Sequence, residues 1–400
     1  MAITTNQKKE SLVRFAHHQL NNVILPFWSG RMVDGIHEGF LGKIDFSGNP
    51  VEGHPKGIIL NARILWTFSA VYRLLGEEKY LSLAERAYRF LENHFYDPVH
   101  GGFVWSLNPD KSIDNGKKQI YAQAFVIYAF TEYATATGKT EPVDKAFTLV
   151  GLIEEKSFDT EKNGYLEAFS KDWGDIEDLR LSDLDMNEKK TTNTHLHIIE
   201  AYTRLYRHQQ DPGLKERLLN LLHIFSDIIL QEDHHMGLFY DEEWDLKSDE
   251  ISYGHDIEAA WLLYEAALAV GEKKTIDRMR TIAVNMTEAV LPALNTEGGL
   301  FHDGNRANNN ISDQLEWWAQ AEAIVGFLNS YEITGEEAWL DRALSIKNYI
   351  EKYFIDGING EWFYRVDKSG NPINSYEKAG PWKCPYHTAR MCLEIIRRLE

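Results

Sequence analysis

Six stretches of the sequence begin with small or polar residues and continue as almost wholly apolar runs of helical period. A helix buried on nearly all sides has this pattern. The side chains able to hydrogen-bond or move protons at the start of these runs are, in chain order, Arg63, Gln123, His195, His255, Gln320 and His387. Six buried helices with such starts predict one shared polar pocket around which the chain is organised.

His255 and His387 are suited to moving protons, because the pKa of imidazole lies near neutral pH. A helix N-terminus disfavours added positive charge, so both rings are expected to stay neutral and to act as bases. They start the fourth and sixth of the runs, so they can approach one ligand from different sides. Two bases on opposite faces of one carbon can invert its configuration, since one removes a proton and the other returns one.

The intermediate of such an inversion is an enediolate, which carries negative charge. Arg63 is the permanent cation among the six starts and is expected to stabilise that charge. His197 follows His195 by two residues and adds a donor near the same oxygen. The recurrence of three histidines and an arginine at the helix starts argues against coincidence, although a lone buried histidine is usually a hydrogen-bonded core residue.

Two other chemistries are compatible with part of this set. Residues two apart on a helix point roughly 200° apart, so His195 and His197 cannot easily share a metal ion, and we expect no metal. Glu258 and Glu322 lie inside the buried runs and could form the carboxylate pair of a glycosidase. Glu258 follows His255 by three residues, however, which favours a supporting role beside the histidine.

The tryptophans divide into two groups. Trp66, Trp261, Trp317 and Trp318 lie in the helical runs and would usually be core residues. Trp382 lies in the loop before the last run and is harder to explain in this way. Aromatic side chains at a cavity mouth are typical of sites that stack on sugar rings, which suits a neutral, polyhydroxylated ligand.

An internal repeat predicts the fold. A glycine followed by aromatic residues recurs at Gly39, Gly102, Gly164, Gly237, Gly299 and Gly360, with spacings of 63, 62, 73, 62 and 61 residues. Each unit contains a buried helix, a glycine-containing turn, an amphipathic helix and a short β-hairpin. The last buried run lacks the polar face that caps an open array. We therefore predict an all-α protein, a closed (α/α)6 barrel of six helical hairpins formed as one domain by residues 1–400.

One unit is about ten residues longer than the others, and the excess falls between Lys171 and Asn193. This run has little helical period and seven acidic residues. Long loops inside compact domains are commonly lids or binding loops, so we expect it over the pocket mouth. A solvated surface excursion fits its composition equally well.

The charge balance limits the partners. With 61 acidic and 42 basic residues, the formal charge is −19, which argues against nucleic acid and anionic membranes and favours a neutral ligand. Cys384 and Cys392 are not expected to form a disulfide, which fits a reducing compartment. The N-terminal residues show no secretory pattern. These features predict a cytoplasmic protein and carry no information about oligomeric state.

Six ordered motifs resemble one enzyme superfamily. They are NARILWTF, YAQAF, NTHLHIIEAYT, GHDIEAAW, WWAQAEAIVGF and WKCPYH. Together they are similar to the N-acylglucosamine 2-epimerase superfamily, most closely to its cellobiose and mannobiose 2-epimerase branch. The resemblance implies an (α/α)6 barrel that interconverts gluco and manno sugars at C2 of the reducing end through a cis-enediolate, without a cofactor.

The resemblance also implies roles for individual residues. His255 and His387 would transfer the proton, supported by Glu258 and Glu322. The implied substrate contacts are Arg63, Tyr121, Asn193 and His197 at O1 and O2, Trp318, Trp382 and Trp261 along the sugars, and Ser182 and Asp185 at the second sugar.

Two motifs depart from the usual pattern, since PYHTAR stands in place of PYHNGR and WWAQ in place of WWPQ or WWVQ. Both changes adjoin the pocket and leave the histidines intact, so they bear on substrate range. Epimerisation of free mannose and glucose, or an aldose-ketose isomerase of the same fold, are the alternatives to a disaccharide epimerase. The sequence contains no phosphate-binding glycine loop that would indicate a nucleotide ligand.

Overall fold

The protein is mainly helical. A computed structural model describes residues 4–400. Within that range the helices are α1 (Thr5–His18), α2 (Leu25–Gly30), α3 (Ile58–Leu75), α4 (Glu78–Phe90), α5 (Ile120–Thr137), α6 (Glu141–Lys156), α7 (Thr192–His208), α8 (Pro212–Ile224), α9 (Tyr253–Val270), α10 (Lys273–Ala289), α11 (Trp317–Thr334), α12 (Glu337–Tyr353) and α13 (Tyr386–Leu399). Short π-helical segments span Gln19–Ile24, Leu91–Phe95 and Phe225–Ile229, and one 3-10 turn spans Leu291–Ala293.

Helices α3, α5, α7, α9, α11 and α13 form a closed inner ring. Each contacts the next in this order, and α13 packs back against α3. Helices α4, α6, α8, α10 and α12 each pack outside the inner helix that precedes them. The predicted (α/α)6 barrel is therefore confirmed.

The sixth helical pair differs in connectivity from the other five. The outer partner of α13 is α1, the first helix in sequence order, which packs against both α12 and α13. The Trp362 indole also donates to Gln19 Oε1 at 2.8 Å. The ring is thus closed by helices that lie far apart in sequence.

Glycine ends four of the inner helices. Gly76, Gly138, Gly271 and Gly335 follow α3, α5, α9 and α11 with φ angles of 68°, 72°, 78° and 74°. A left-handed residue stops a helix and reverses the chain, and glycine adopts it without steric cost. The predicted turn signals therefore mark real helix ends.

Short antiparallel strands cover one end of the ring. They are β1 (Lys56–Gly57), β2 (Ser106–Leu107), β3 (Ile113–Asn115), β4 (Lys118–Gln119), β5 (Ala168–Phe169), β6 (Lys190–Thr191), β7 (Phe239–Tyr240), β8 (Glu250–Ser252), β9 (Asp303–Asn305), β10 (Asn310–Ile311), β11 (Gln314–Glu316) and β12 (Arg365–Asp367). The pairs β1–β2, β4–β5, β6–β7, β8–β9 and β11–β12 each join the entry of an inner helix to the next unit, while β3 extends β2 and β10 extends β9. A bridge between Ile44 and Ala379 does the same before α13. These pairs fix where each inner helix begins.

Buried ion pairs reinforce this end of the barrel. A lysine at or near the entry of an inner helix is bound to an aspartate in a neighbouring turn. The pairs are Lys56–Asp34 at 2.6 Å, Lys118–Asp97 at 3.1 Å, Lys190–Asp159 at 2.8 Å and Lys378–Asp356 at 2.7 Å. Removing one member of such a pair leaves a buried charge, which costs about 3–5 kcal/mol.

By length and composition, one helix in residues 4–400 could cross a membrane, and it is α3. Most of this helix, 78%, is buried inside the protein. Its place in the inner ring accounts for its apolar sequence.

Candidate active site

The entries of the inner helices surround a cavity of about 740 Å³. Sites for small molecules usually have volumes of a few hundred to about 1,000 Å³. One wall is formed by the irregular segment between β5 and β6, which contributes Leu179, Ser182 and Asp185 among others. The loop predicted over the pocket mouth is therefore confirmed in that position.

Position along each inner helix decides which side chains reach the cavity. The second residues of α5, α7, α11 and α13 are Tyr121, Asn193, Trp318 and His387, and all four line it. The sixth residues of α3, α7 and α9 are Arg63, His197 and Glu258, which also line it. Residues four apart share a helix face, so one face of each inner helix supplies the site.

The fourth residue of an inner helix points elsewhere. Gln123 exchanges two hydrogen bonds with the backbone of Phe103, and Gln320 does the same with Leu300. His195 donates through Nδ1 to the Thr191 carbonyl and accepts from the Tyr165 amide at 2.9 Å. The expectation that all six polar helix starts converge on the pocket is therefore wrong for these three, which anchor the hairpins outside it.

His387 is buried and hydrogen-bonded to a carboxylate. Its Nδ1 lies 2.7 Å from Glu322 Oε1 and 4.0 Å from Glu258 Oε1. Burial holds the pKa of His387 well below its ordinary value, with Glu258 opposing and the nearby arginines assisting that shift. Burial therefore favours the neutral form of the ring. No hydrogen bond to its Nε2 is found in residues 4–400.

His255 has a different partner. Its Nδ1 lies 2.7 Å from the hydroxyl of Ser252, the N-cap residue of α9. Burial lowers the pKa of His255 well below its ordinary value, and the neighbouring His197 adds to the effect. The expectation that Glu258 orients His255 is wrong, because Glu258 binds Arg390 instead.

Trp318 connects the two histidines. The ring centroid of Trp318 lies 4.7 Å from that of His255 and 5.5 Å from that of His387. Its indole donates to Glu316 Oε2 at 2.6 Å. Both imidazoles thus pack against one fixed aromatic wall of the same cavity.

Arg63 is a buried cation that faces the cavity. Its guanidinium donates to the Tyr121 hydroxyl at 2.7 Å and lies 3.6 Å from the Cys384 sulfur. Within residues 4–400 no carboxylate forms an ion pair with it. A buried charge without a counterion is costly, so the cavity is prepared for a ligand that carries negative charge at this point.

Comparison with known proteins identifies the family. Residues 39–391 match the sequence profile of the N-acylglucosamine 2-epimerase family. The chain belongs to this family. It is 43% identical to the cellobiose 2-epimerase of Bacteroides fragilis, with 97% of this chain and 99% of that protein covered. It is 35% identical to the cellobiose 2-epimerase of Dictyoglomus turgidum, with 95% and 97% covered.

A solved structure supports the same relationship. The cellobiose 2-epimerase of Spirochaeta thermophila superposes with a TM-score of 0.93 at 37% identity, and the match covers 100% of this chain and 99% of that one. The protein is thus a carbohydrate epimerase of the isomerase class.

Beneath the histidines of this epimerase lies a charged network centred on Arg390. Its guanidinium contacts Glu200, Glu258 and Glu322 and the Tyr386 hydroxyl. Burial alone would raise the pKa of Glu200, but Arg390 and then His197 hold it below its ordinary value. Burial raises the pKa of Glu322 despite the same arginine.

Glu258, Glu322 and His387 each place a possible ligand atom within 4.8 Å of the others, as the ligands of a metal ion would. Arg390 already hydrogen-bonds both carboxylates with one nitrogen. The guanidinium therefore supplies at this cluster the positive charge that a metal ion would supply, and the donor set does not fit a metal in addition.

The other residues predicted to contact the substrate differ in whether they line the cavity. Glu200 Oε2 lies 2.9 Å from His197 Nδ1. The other ring nitrogen of His197 therefore faces the cavity. Trp382, Ser182 and Asp185 line the cavity. Trp261 does not; its indole donates to Glu322 Oε2 at 3.1 Å, which places it behind the wall.

Sequence reasoning missed Arg390, Glu200, Ser252 and Glu316. Two of them could have been found from the sequence, since Arg390 is a charged residue inside an apolar run and Glu200 follows His197 by three residues. Ser252 and Glu316 lie in strands just before their helices, and their partners depend on how β8 and β11 are placed. Only the folded structure reveals those contacts.

Proposed function

We propose that this epimerase interconverts the gluco and manno configurations at C2 of the reducing-end sugar of β-1,4-linked disaccharides such as cellobiose. The whole barrel of residues 1–400 would act as one catalytic unit on a neutral substrate. The identity to cellobiose 2-epimerases over nearly the full chain supports this substrate class.

In the proposed reaction one neutral histidine removes the C2 proton of the open-chain sugar. The electron pair moves to the C1 carbonyl oxygen and forms a cis-enediolate, whose charge Arg63 stabilises. The second histidine, on the opposite face, takes up a proton from water as the negative charge develops and donates it to C2, the carbonyl forms again, and the first histidine releases the abstracted proton to water. No electron is gained or lost, so the reaction requires no redox partner.

One observation carries the proposal. His255 and His387 face the same cavity, each with Nδ1 bound to a partner and with no partner for Nε2 within residues 4–400, and beside them Arg63 has no counterion in that same range. A free Nε2 on a neutral ring is the acceptor a proton abstraction needs. A binding protein would have no need of two such bases.

Buried acceptors favour a polyhydroxylated substrate. Asn193 Oδ1 and Glu258 Oε2 are buried at the cavity and have no hydrogen-bond partner within residues 4–400. Buried acceptors are normally satisfied, and sugar hydroxyls would satisfy them. We assign Tyr121, Asn193 and His197 with Arg63 to the O1–O2 region.

The remaining wall would hold the body of the disaccharide. We assign Trp318 and Trp382 to stacking on the sugar rings, and Ser182 and Asp185 to the second sugar. Ser182 and Asp185 are already oriented, because Asp185 Oδ2 accepts from both the amide and the hydroxyl of Ser182 at 2.8 Å.

Hydrogen exchange at C2 tests the two-base assignment. In deuterated water, wild type should convert cellobiose to its manno epimer with deuterium at C2, followed by NMR. His255→Asn and His387→Asn should each abolish interconversion. Each single variant should still exchange C2 hydrogen in one epimer, and the two variants should differ in which epimer exchanges.

His223→Asn, at an imidazole 62% exposed to solvent, is the control and should behave as wild type. Interconversion by either single variant would refute the assignment. Parallel assays with free mannose distinguish the alternatives. Faster conversion of mannose to glucose than of cellobiose to its epimer indicates a monosaccharide epimerase, and formation of fructose alone indicates an isomerase.

A further inference from the structure

A second, smaller cavity adjoins the first. It has a volume of about 190 Å³ and is lined by His54, Ile59, Trp105, Pro381 and Trp382 among others. Trp382 also lines the main cavity. One tryptophan therefore forms a wall common to both spaces.

A line of aromatic rings leads from the main cavity to the smaller one. Tyr121, which binds Arg63, lies with its ring centroid 6.0 Å from Trp382, and Trp382 lies 6.1 Å from Trp105. Trp105 and Trp382 are both only partly buried. Adjacent, partly exposed aromatic rings offer flat apolar surfaces of the kind that pack on successive pyranose rings.

Polar groups suited to sugar hydroxyls lie beside this line. Lys117 Nζ lies 5.0 Å from the centroid of the Trp105 ring and donates to the Arg180 carbonyl at 2.7 Å. Arg180 belongs to the loop that also carries Ser182, so Lys117 links the Trp105 ring to the loop of the proposed second-sugar site. His54 binds the Pro55 carbonyl through Nδ1, and its other ring nitrogen makes no hydrogen bond within residues 4–400.

We propose that the smaller cavity is a subsite for a third pyranose unit of a β-1,4-linked oligosaccharide, with Trp105 as its stacking surface. This inference rests on the proposed function for the orientation of the sugar chain. The mouth of the site then extends past a disaccharide, and trisaccharides bind more tightly than disaccharides.

Equilibrium binding of reduced oligosaccharides tests the subsite independently of catalysis, because alditols have no C1 carbonyl to react. Calorimetry with cellobiitol and cellotriitol should show tighter binding of the longer compound by wild type. Trp105→Ala should reduce that advantage by about two- to tenfold, the contribution of one aromatic contact.

Trp244→Ala is the matched control, since Trp244 is another partly buried tryptophan of a hairpin loop and lines neither cavity. It should leave the ratio of the two affinities unchanged. Equal affinities of wild type for both alditols, or an unchanged ratio in Trp105→Ala, would overturn the subsite. Failure of wild type to epimerise cellobiose would instead refute the proposed function.

Discussion

Glu322→Gln separates the proposed proton transfer by His387 from the packing of its ring. Glu322 accepts from His387 at 2.7 Å, from Arg390 at 2.7 Å and from Trp261 at 3.1 Å. Glutamine has the same shape and one acceptor oxygen but carries no charge. The substitution therefore leaves the imidazole in place and removes the negative partner that stabilises it once it has taken up a proton.

The expected magnitude follows from the kind of bond that is lost. A hydrogen bond to a charged group contributes about 1.5–3 kcal/mol, and about 1.4 kcal/mol corresponds to a tenfold change in rate. We expect kcat to fall by about 10- to 150-fold. KM should change little, because Glu322 does not line the cavity.

Stability should change less than activity. Arg390 keeps its contacts with Glu200 and Glu258 after the substitution, and glutamine avoids the cost of burying a charge. Thermal unfolding should therefore remain cooperative. The activity assay is the initial rate of cellobiose epimerisation, followed by chromatography, and a melting curve of the same variant measures its stability.

Glu132→Gln provides the control. Glu132 is 3% exposed and binds Arg73 at 2.5 Å and Arg204 at 2.6 Å, outside the cavity. It should lower the melting temperature and leave kcat within about twofold. Wild-type kcat in Glu322→Gln, or an equal loss of kcat in Glu132→Gln, would show that the carboxylate does not act through His387.

Two further substitutions test the roles of buried polar groups. His195→Gln should retain fold and activity, because Gln123 and Gln320 make the same hydrogen bonds in other units, whereas His195→Ala should lower the free energy of unfolding by about 1–3 kcal/mol in urea denaturation. Burial raises the pKa of Glu167 from 4.5 to about 8, so the folded state binds more protons than the unfolded state within this window and stability falls as pH rises through it. The decline in the free energy of unfolding is at most about 1.4 kcal/mol per pH unit, and Glu167→Gln should remove it. Equal pH slopes of the melting temperature in variant and wild type would contradict the raised pKa.

The sequence predicted the barrel because its signals are local and repeated. The apolar period of the inner helices and the glycines at their ends, such as Gly76 and Gly335, depend on neighbouring residues alone. The link between α1 and α13 could not be predicted in this way, because it joins segments far apart in the chain.

The site was predicted by residue type more successfully than by geometry. His255, His387 and Arg63 line the cavity, since a polar side chain on a buried helix must face something polar. His195 satisfies the same rule by binding the Tyr165 amide, so polarity alone cannot separate an anchor from a cavity residue. Counting from the first residue of each helix does separate them, but the helix starts are set by strand pairing.

Closure of the ring by α1 and α13 has a consequence for how the protein is made. The apolar side of α1 leaves the ribosome long before α13, which follows α1 to α12 in chain order. Contacts between distant segments form slowly, and an uncovered apolar surface favours aggregation in the meantime. Because α13 also carries His387, an incompletely synthesised chain has neither a sealed barrel nor both of the histidines proposed to transfer the proton.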